Sequence, residues 1–277
     1  MPKEMVRFKR RMLLIKDMNK IIEKNTSKLW DAQVWTSQNS IEEDKYNLTR
    51  ALNSVAWRRI KKRILKNFGS FKDIKSIEIG AGQGTFSLLF AMEGAEVTVL
   101  DYSENALNSS RLFFKRMGQK ATFIQMDALK LDKKIKSKFD VAMSYGTAEH
   151  FSGEKRINFI RSHLDVIRKG GLVLISVPNK WNLIYRLWMF LSQTFGRWKF
   201  GEEYPFSRKE FRKIGNLLNI KFEIIGGYLF FSNFLIKKRL KKLGGMNQYP
   251  KKINYEIGTP LDKYFSQTII AIGAKFK

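Results

Sequence analysis

The chain has 277 residues, of which 44% are hydrophobic and 28% charged, a composition typical of globular proteins and unlike disordered or collagen-like chains. Fifty-two Lys and Arg against 25 Asp and Glu give a net charge of +27, which attracts polyanions such as nucleic acid, anionic lipid or phosphorylated substrates without choosing among them. Without cysteine there are no disulfides, thiolate metal sites or cysteine nucleophiles, and two histidines are too few for a multi-histidine metal site.

The first 24 residues hold eight basic and three acidic side chains and predict an exposed basic helix ahead of the domain. Their apolar stretch, 12–15, is too short for the core of a signal peptide. The longest apolar tract, 181–196, contains polar residues and falls short of the roughly 18 apolar residues that a spanning helix needs. We therefore predict a soluble, cytoplasmic protein that does not cross a bilayer.

Strands and helices alternate through the middle of the chain. A helix with apolar residues at helical spacing is predicted from Leu48 to Phe68, and Gly69 ends it. Five strands alternating with helices predict right-handed crossovers and a parallel, doubly wound α/β sheet. The last helix before the fifth strand is expected to stop at Lys169-Gly170-Gly171. The predicted strands are 76–79, 96–100, 121–126, 139–145 and 172–177, and the predicted helices between them are 86–92, 105–117 and 154–168.

The pattern changes after Pro178. Residues 179–206 are rich in aromatic side chains and lack strand alternation, which predicts a helical insertion over one end of the sheet. Ser207 is expected to cap a helix that runs to Leu218. No internal repeat or linker is visible, so we predict one domain with strands at 221–225 and 265–273 completing the sheet. Its parts are a basic extension (1–47), a core (48–178), the insertion (179–206) and a C-terminal part (207–277).

A glycine-rich loop, Glu78-Ile79-Gly80-Ala81-Gly82-Gln83-Gly84, lies between the first predicted strand and the next helix. Alternate glycines let a ligand pack directly against the main chain, and the following helix offers unpaired amides. Asp101 ends the second strand, where a carboxylate can accept hydrogen bonds from both ribose hydroxyls. Asp127 ends the third, where a carboxylate can accept from an adenine amine. The three strand ends together outline a nucleoside site.

The spacing of the loop argues against a dinucleotide. A pyrophosphate-binding loop would read G-x-G-x-x-G, but the third glycine, Gly84, comes one residue early and Thr85 occupies the later position. Glu78 would repel a pyrophosphate, whereas it suits a ligand with an ammonium group. An amino-acid-bearing nucleoside is therefore favoured.

These motifs resemble those of the class I S-adenosylmethionine-dependent methyltransferases. The resemblance covers about residues 74–178 and also includes Phe139-Asp140-Val141 and Arg168-Lys169-Gly170-Gly171. It implies a Rossmann-like sheet of seven strands, the seventh inserted antiparallel, and S-adenosylmethionine as the cofactor. Asp140 is expected to serve the fold. The cofactor-binding residues that the resemblance implies are Glu78, Gly80, Ala81, Gly82, Gly84, Asp101, Tyr102, Met126, Asp127, Ala128 and Tyr145.

The pair Glu149-His150 follows the fourth predicted strand, at the edge where such folds place ligands. Methyl transfer from a sulfonium is an in-line displacement, so positioning and water exclusion matter most and a base is optional. Similar methyltransferases of small molecules carry a Glu-His pair here, which implies that His150 or Glu149 faces the acceptor. Alternatively, the pair only begins the next segment. His163, beside an apolar helical stripe, is predicted to be structural, and no metal site is predicted.

Two aromatic groups and two basic runs have alternative interpretations. The insertion is predicted to be a lid that selects an apolar acceptor, or else a subdomain with its own core. Three aromatic residues ahead of the sheet either close over the methyl donor or only pack within the fold: Trp30, Trp35 and Tyr46. The basic runs 58–63 and 237–242 either form an anion-binding surface or are solvated faces.

The predicted function is methyl transfer to a small or lipid-like amphipathic acceptor at oxygen or nitrogen. One alternative is an RNA methyltransferase that uses the basic surface. The sequence Ser144-Tyr145-Gly146-Thr147 disfavours it, because amino-group nucleic-acid methyltransferases carry Asn-Pro-Pro-Tyr there. The other alternative is a non-catalytic scaffold with this fold that contacts an anionic membrane surface.

Overall fold

Seven strands form one mixed sheet in the computed structural model, which describes residues 39–198, 200–227 and 261–275. The strands are β1 Lys75–Ile79, β2 Glu96–Asp101, β3 Thr122–Gln125, β4 Phe139–Tyr145, β5 Ile167–Pro178, β6 Phe222–Gly226 and β7 Thr268–Ala274. Their order is β3-β2-β1-β4-β5-β7-β6, with the first five parallel. β7 runs antiparallel to both β5 and β6. The predicted Rossmann-like fold with an inserted antiparallel strand is confirmed.

Helices cover both faces of this sheet. They are α1 Ile41–Leu52, α2 Val55–Phe68, α3 Thr85–Met92, α4 Glu104–Arg116, α5 Gly153–Val166, α6 Leu183–Thr194, α7 Arg208–Leu217 and α8 Asp262–Phe265. One buried cluster joins α1 to α4 with one face of the sheet, and a second cluster joins α5 and α7 with the other face. Of the described residues, none belongs to a helix that is both long enough and apolar enough to cross a membrane.

The predicted helix from Leu48 to Phe68 is wrong as a single element, because the chain breaks it at Ser54. The Ser54 hydroxyl donates to the carbonyl of Ala51 at 2.7 Å and accepts from the amide of Trp57 at 3.0 Å, so it ends α1 and caps α2. Gly69 ends α2 as predicted. Helix α1 spans the boundary predicted at residues 47 and 48 between the basic extension and the core. The predicted basic helix, Trp30 and Trp35 lie outside the described residues.

Two predicted boundaries further along the chain are also wrong. Helix α5 ends at Val166, and the glycines expected to stop it lie inside β5. A Cβ on Gly171 would come within 2.8 Å of the carbonyl oxygen of Asp140, so glycine permits a close approach of β5 to β4. The predicted strand 265–273 starts later, because Phe265 belongs to α8. Ser207 caps α7 as predicted, through a bond from the amide of Glu210.

Candidate cofactor and acceptor site

Main-chain hydrogen bonds bring the ends of the first four strands together at one edge of the sheet. The amide of Gly80 donates to the carbonyl of Leu100 at 2.8 Å. The amide of Met126 donates to the carbonyl of Asp101 at 2.9 Å. The hydroxyl of Thr147, after β4, donates to the carbonyl of Gly80 at 2.8 Å. The structure thus places Gly80, Asp101, Met126 and Thr147 next to one another, as parallel strands require.

The glycine loop needs glycine where it meets the segment after β4. Gly80 has φ +67°, and a Cβ there would overlap Cγ2 of Thr147. Gly84 has φ +71° and caps α3 without a side-chain hydrogen bond. Glycine at positions 80 and 84 is therefore required by the protein's own packing, and the contact of Gly80, Ala81, Gly82 and Gly84 with a ligand stays a prediction.

Asp101 lies at the tip of β2 with only 6% of its surface exposed. Its Oδ2 accepts from the amide of Gly82 at 2.9 Å, and its Oδ1 accepts from the amide of Ser103 at 2.9 Å. These two bonds fix the orientation of the carboxylate at the end of the strand. Its contact with the two hydroxyls of a ribose stays a prediction.

Glu78 is buried beneath the loop. Its Oε2 accepts from both the amide and the hydroxyl of Ser87 on α3, at 3.0 and 2.6 Å. Burial is the main cause that raises the pKa of Glu78 to about 7; the hydrogen bonds from Ser87 lower the pKa, and the nearby charge of Asp101 raises it. Glu78 therefore stabilises the strand-to-helix turn, and its predicted contact with an ammonium group stays a prediction.

The remaining predicted cofactor residues lie around the same edge. Tyr102 is exposed (41%), and Asp127 is exposed with Oδ1 accepting from the amide of Leu129 at 2.8 Å. Met126 and Ala128 are half-buried against the second core cluster. The ring of Tyr145 stacks on Phe86 with centroids 3.9 Å apart, so its main chain rather than its ring borders the loop. The individual contacts of these residues with a cofactor stay predictions.

Asp44 was missed by the sequence analysis. This carboxylate on α1 is 1% exposed, and it accepts from Nε2 of Gln83 at 2.6 Å and from Arg116 on α4 at 2.6 Å. It therefore fastens α1 to the glycine loop. The capping box of Ser40 and Glu43 marks the start of α1 in the sequence, but the pairing of Asp44 with Gln83 depends on the tertiary fold.

Glu149 and His150 form a short 3-10 turn after β4, and the insertion packs against it. The amide of Tyr204 donates to the carbonyl of Glu149 at 2.9 Å, and Nδ1 of His150 lies 2.9 Å from the carbonyl of Glu202. The hydroxyl of Tyr185, on α6, donates to Glu203 at 2.6 Å. Sequence reasoning missed Glu203 and Tyr185, because only the folded insertion brings them to the predicted pair.

Burial dominates the electrostatics of this cluster. Desolvation raises the pKa of Glu149 well above its usual range, and the neighbouring charge of Glu203 adds to the effect. Desolvation also raises the pKa of Glu203 to about 7 and lowers that of His150, which the carbonyls of Glu202 and Gly146 partly offset. Glu149 Oε2 is buried with no hydrogen-bond partner. In the described part of the chain, ligand atoms of Glu149, His150 and Glu203 lie within 4.8 Å of one another, close enough to hold a metal ion.

Arg156 holds the insertion to the rest of the site. Its guanidinium donates to the carbonyls of Phe151 and Tyr204 at 2.7 and 2.6 Å and lies 3.9 Å from the centroid of the Phe206 ring. It also pairs with Glu210 on α7. The insertion is thus part of the domain and lies over the Glu149–His150 turn, in the position expected of a lid.

Three residues outside the site have clear structural surroundings. Asp140 accepts from the amide of Lys75 at 2.7 Å and pairs with Arg168, so it serves the fold as predicted. His163 is fully buried, its Nδ1 lies 2.9 Å from the carbonyl of Phe159, and burial lowers its pKa to about 4. Tyr46 is half-buried on α1.

The basic cluster 58–63 on α2 is largely occupied by ion pairs rather than open to an anion. Its pairs are Arg59 with Asp262, Lys61 with Glu93 and Arg63 with Glu223. The second basic run, 237–242, lies outside the described residues. Nothing in the described surface of α2 therefore favours an RNA partner.

Residues 77–171, which contain the glycine loop, Asp101 and the Glu149–His150 turn, match the profile of a methyltransferase domain. The match supports the resemblance to S-adenosylmethionine-dependent methyltransferases that the sequence motifs indicate. It also supports S-adenosylmethionine as the cofactor and favours an enzyme over a non-catalytic scaffold. The matched stretch runs from β1 into β5, so it contains the strand ends described above.

Curated relatives of this methyltransferase include proteins named ubiquinone biosynthesis O-methyltransferase. The one from Rickettsia prowazekii is 20% identical over 71% of this chain and 76% of its own length. The one from Pelagibacter ubique is 27% identical over 59% of this chain and 68% of its own length. The one from Stutzerimonas stutzeri is 30% identical, but over only 38% of this chain and 45% of its own length.

Solved structures share the fold at low sequence identity. Magnesium protoporphyrin IX methyltransferase from Synechocystis, with bound S-adenosylhomocysteine, has a TM-score of 0.54 at 13% identity over 86% of this chain and 89% of its own. The 1,6-didemethyltoxoflavin-N1-methyltransferase of Burkholderia thailandensis has a TM-score of 0.52 at 14% identity over 95% of this chain and 90% of its own. These likenesses concern the fold alone.

The residues at the sheet edge suit the cofactor. The carboxylate of Asp101 is held at the end of β2 by two main-chain amides, at the position predicted to face a ribose. Glycine at position 80 lets the loop pack closely against Thr147, which fixes the path of the loop beside the end of β2. The exposed ring of Tyr102 follows Asp101 directly, in a position to cover a ribose or base.

Proposed function

We propose that this methyltransferase methylates the hydroxyl oxygen of a small, amphipathic phenol. The observation that carries the proposal is the cluster of buried Glu149 with half-buried His150 and Glu203 at the carboxyl edge of the sheet, beside the predicted cofactor residues. The relatives named O-methyltransferases support oxygen as the accepting atom. A phenol has a pKa near 10 and becomes a good nucleophile when a base removes its proton.

His150 is the proposed base. Its Nδ1 is placed to donate to the carbonyl of Glu202, which holds the imidazole in its position at the site. Because desolvation lowers the pKa of His150, the ring is neutral at pH 7 and able to accept a proton. S-adenosylmethionine supplies an electrophilic methyl group when it is bound.

Glu149 and Glu203 have a different proposed task. Burial raises both pKa values, and a protonated Glu149 can donate a hydrogen bond to the acceptor from the oxygen that has no protein partner. Tyr185 orients Glu203 through its hydroxyl. The insertion covers this polar centre through Tyr185 and the main chain of Tyr204, which helps to exclude water from the transfer.

The test compares matched phenols and anilines, each with and without an alkyl chain, as acceptors for the purified protein. We expect methylation of the phenol oxygen, faster with the chain, measured as S-adenosylhomocysteine formed and as product mass. His150→Gln should lower kcat by roughly 100-fold or more while leaving S-adenosylhomocysteine affinity unchanged. The comparison variant His163→Gln should reduce stability but keep the kcat of folded protein. Methylation of nitrogen alone, or full turnover by His150→Gln, would contradict the proposal.

A further inference from the structure

The insertion exposes an unusual amount of apolar surface. Helix α6 has twelve residues, of which only Tyr185 is buried. Leu183, Leu187 and Leu191 follow one another at intervals of four and so lie along one outward face of the helix. The apolar ridge, as we name it, consists of side chains exposed by 40% to 76%: Trp181, Leu183, Ile184, Leu187, Trp188, Phe190, Leu191, Phe195 and Phe200. A contiguous apolar surface of this kind marks an interaction site.

The segment that carries the apolar ridge is basic, and Glu202 and Glu203 follow it directly. Residues 179–201 contain Lys180, Arg186, Arg197 and Lys199 and no aspartate or glutamate. Arg186 and Arg197 are exposed, and the whole chain carries +27. Tryptophan, phenylalanine and leucine beside arginine and lysine are the side chains that settle at the boundary between lipid headgroups and acyl chains. The charge complements an anionic surface.

The size of α6 decides how it can meet a membrane. Twelve helical residues extend about 18 Å, well short of the roughly 30 Å of hydrocarbon in a bilayer. Such a helix can lie in the plane of the surface with its apolar face inserted, but it cannot span.

The opposite side of the same helix belongs to the acceptor cluster. Tyr185 points inward and donates to Glu203, whose neighbour Tyr204 is bonded to Glu149 through the main chain. A surface that rests on the apolar ridge would therefore lie one helix away from Glu149 and His150. An acceptor partitioned into lipid could enter the site from that side without first crossing water.

We propose that the apolar ridge docks this methyltransferase on an anionic lipid bilayer and that its acceptor is taken from that bilayer. The second half of the statement rests on the function proposed above, and the docking itself does not. Helix α6 is then an interfacial helix, with its leucine and tryptophan side chains among the acyl chains and Arg186 and Arg197 at the lipid phosphates.

The test is co-sedimentation of the full chain with vesicles of phosphatidylcholine, with and without phosphatidylglycerol. We expect binding to the anionic vesicles and a shift of tryptophan emission to shorter wavelength. Leu187→Glu combined with Phe190→Glu should weaken binding by roughly tenfold or more. Leu217→Glu, at an equally exposed leucine on α7, should bind as the unaltered protein does. S-adenosylhomocysteine affinity should be the same in all three.

Two outcomes would overturn the docking, and a third would separate it from the proposed reaction. If the double variant bound vesicles as well as the unaltered protein does, the binding would be due to basic residues alone and not to the apolar ridge. If the unaltered protein did not bind vesicles but formed a dimer, and the double variant were a monomer, the apolar ridge would be an interface between two copies of the chain. Loss of vesicle binding in the double variant without any phenol methylation by the unaltered protein would retain the docking and reject the proposed reaction.

Discussion

Replacing Gly80 with alanine tests the contact between the glycine loop and the segment after β4. Gly80 has φ +67°, and an added Cβ would overlap Cγ2 of Thr147 and lie 3.1 Å from its Oγ1. A left-handed conformation costs an alanine about 1 to 2 kcal/mol. Forcing a methyl group into filled space costs about 1 to 3 kcal/mol more. We expect Gly80→Ala to lower the free energy of unfolding by about 2 to 5 kcal/mol.

Gly118 offers the matched control for the backbone contribution. It has φ +66°, but nothing lies within 4 Å of an added Cβ, so Gly118→Ala should cost only about 1 to 2 kcal/mol. Thr147→Ser removes the overlapping methyl group and keeps the hydroxyl that donates to the carbonyl of Gly80. In the Thr147→Ser background, the cost of Gly80→Ala should approach that of Gly118→Ala.

Denaturant unfolding followed by circular dichroism gives these costs, and calorimetric titration with S-adenosylhomocysteine shows their effect on the site. Gly80→Ala should weaken that affinity, whereas Gly118→Ala should leave it unchanged. Equal costs for the two alanine variants, or a cost of Gly80→Ala that Thr147→Ser does not reduce, would refute the close packing of the two segments.

Three further outcomes follow from contacts at the site. Asp101→Ala should weaken S-adenosylhomocysteine binding by roughly 10- to 150-fold in calorimetry, equal to the about 1.5 to 3 kcal/mol typical of a hydrogen bond to a charged group, and unchanged affinity would contradict its ribose role. Burial raises the pKa values of Glu78 and Glu203 to about 7, so the folded protein keeps protons that the unfolded chain releases near pH 4.5. The free energy of unfolding should therefore fall as pH rises from about 4.5 to 7 and then level off, and Glu78→Gln should flatten part of that slope in denaturant titrations at each pH. Arg156→Met should lower the free energy of unfolding by about 3 to 5 kcal/mol, because it leaves Glu210 and two carbonyls without their cation, and limited proteolysis should then cut the insertion first.

The sheet could be predicted because local patterns determine it. Short apolar runs alternating with helical spacing identify the five parallel strands, and the sequence pattern also locates the two that follow the insertion. The predicted ends of helices and strands were wrong where a single residue or a pair of residues determines the boundary. Ser54 divides a run that looks continuously helical, and Gly171 belongs to a strand although glycine usually ends a helix. The helix break at Ser54 and the place of Gly171 in a strand both depend on contacts in the folded protein, which the sequence pattern does not show.

The site could be predicted in part for the same reason. The glycine loop and Asp101 lie at strand ends, and parallel strands place those ends at one edge. Glu203, Tyr185 and Asp44 escaped prediction because they come from segments that reach the site only by packing. Their partners lie far away in sequence, and no spacing rule connects them.

The position of β7 has a consequence for how the chain is made. β7 lies between β5 and β6 but follows both in the sequence. Neither of these strands can pair with β7 until residues 268–274 have been synthesised. Until then the edge of β5, where seven residues pair with β7 in the folded protein, presents unpaired main-chain groups on a stretch of apolar residues that is otherwise buried. A nascent chain at this stage is a natural client for a chaperone, and a truncation before residue 268 would leave that edge open permanently.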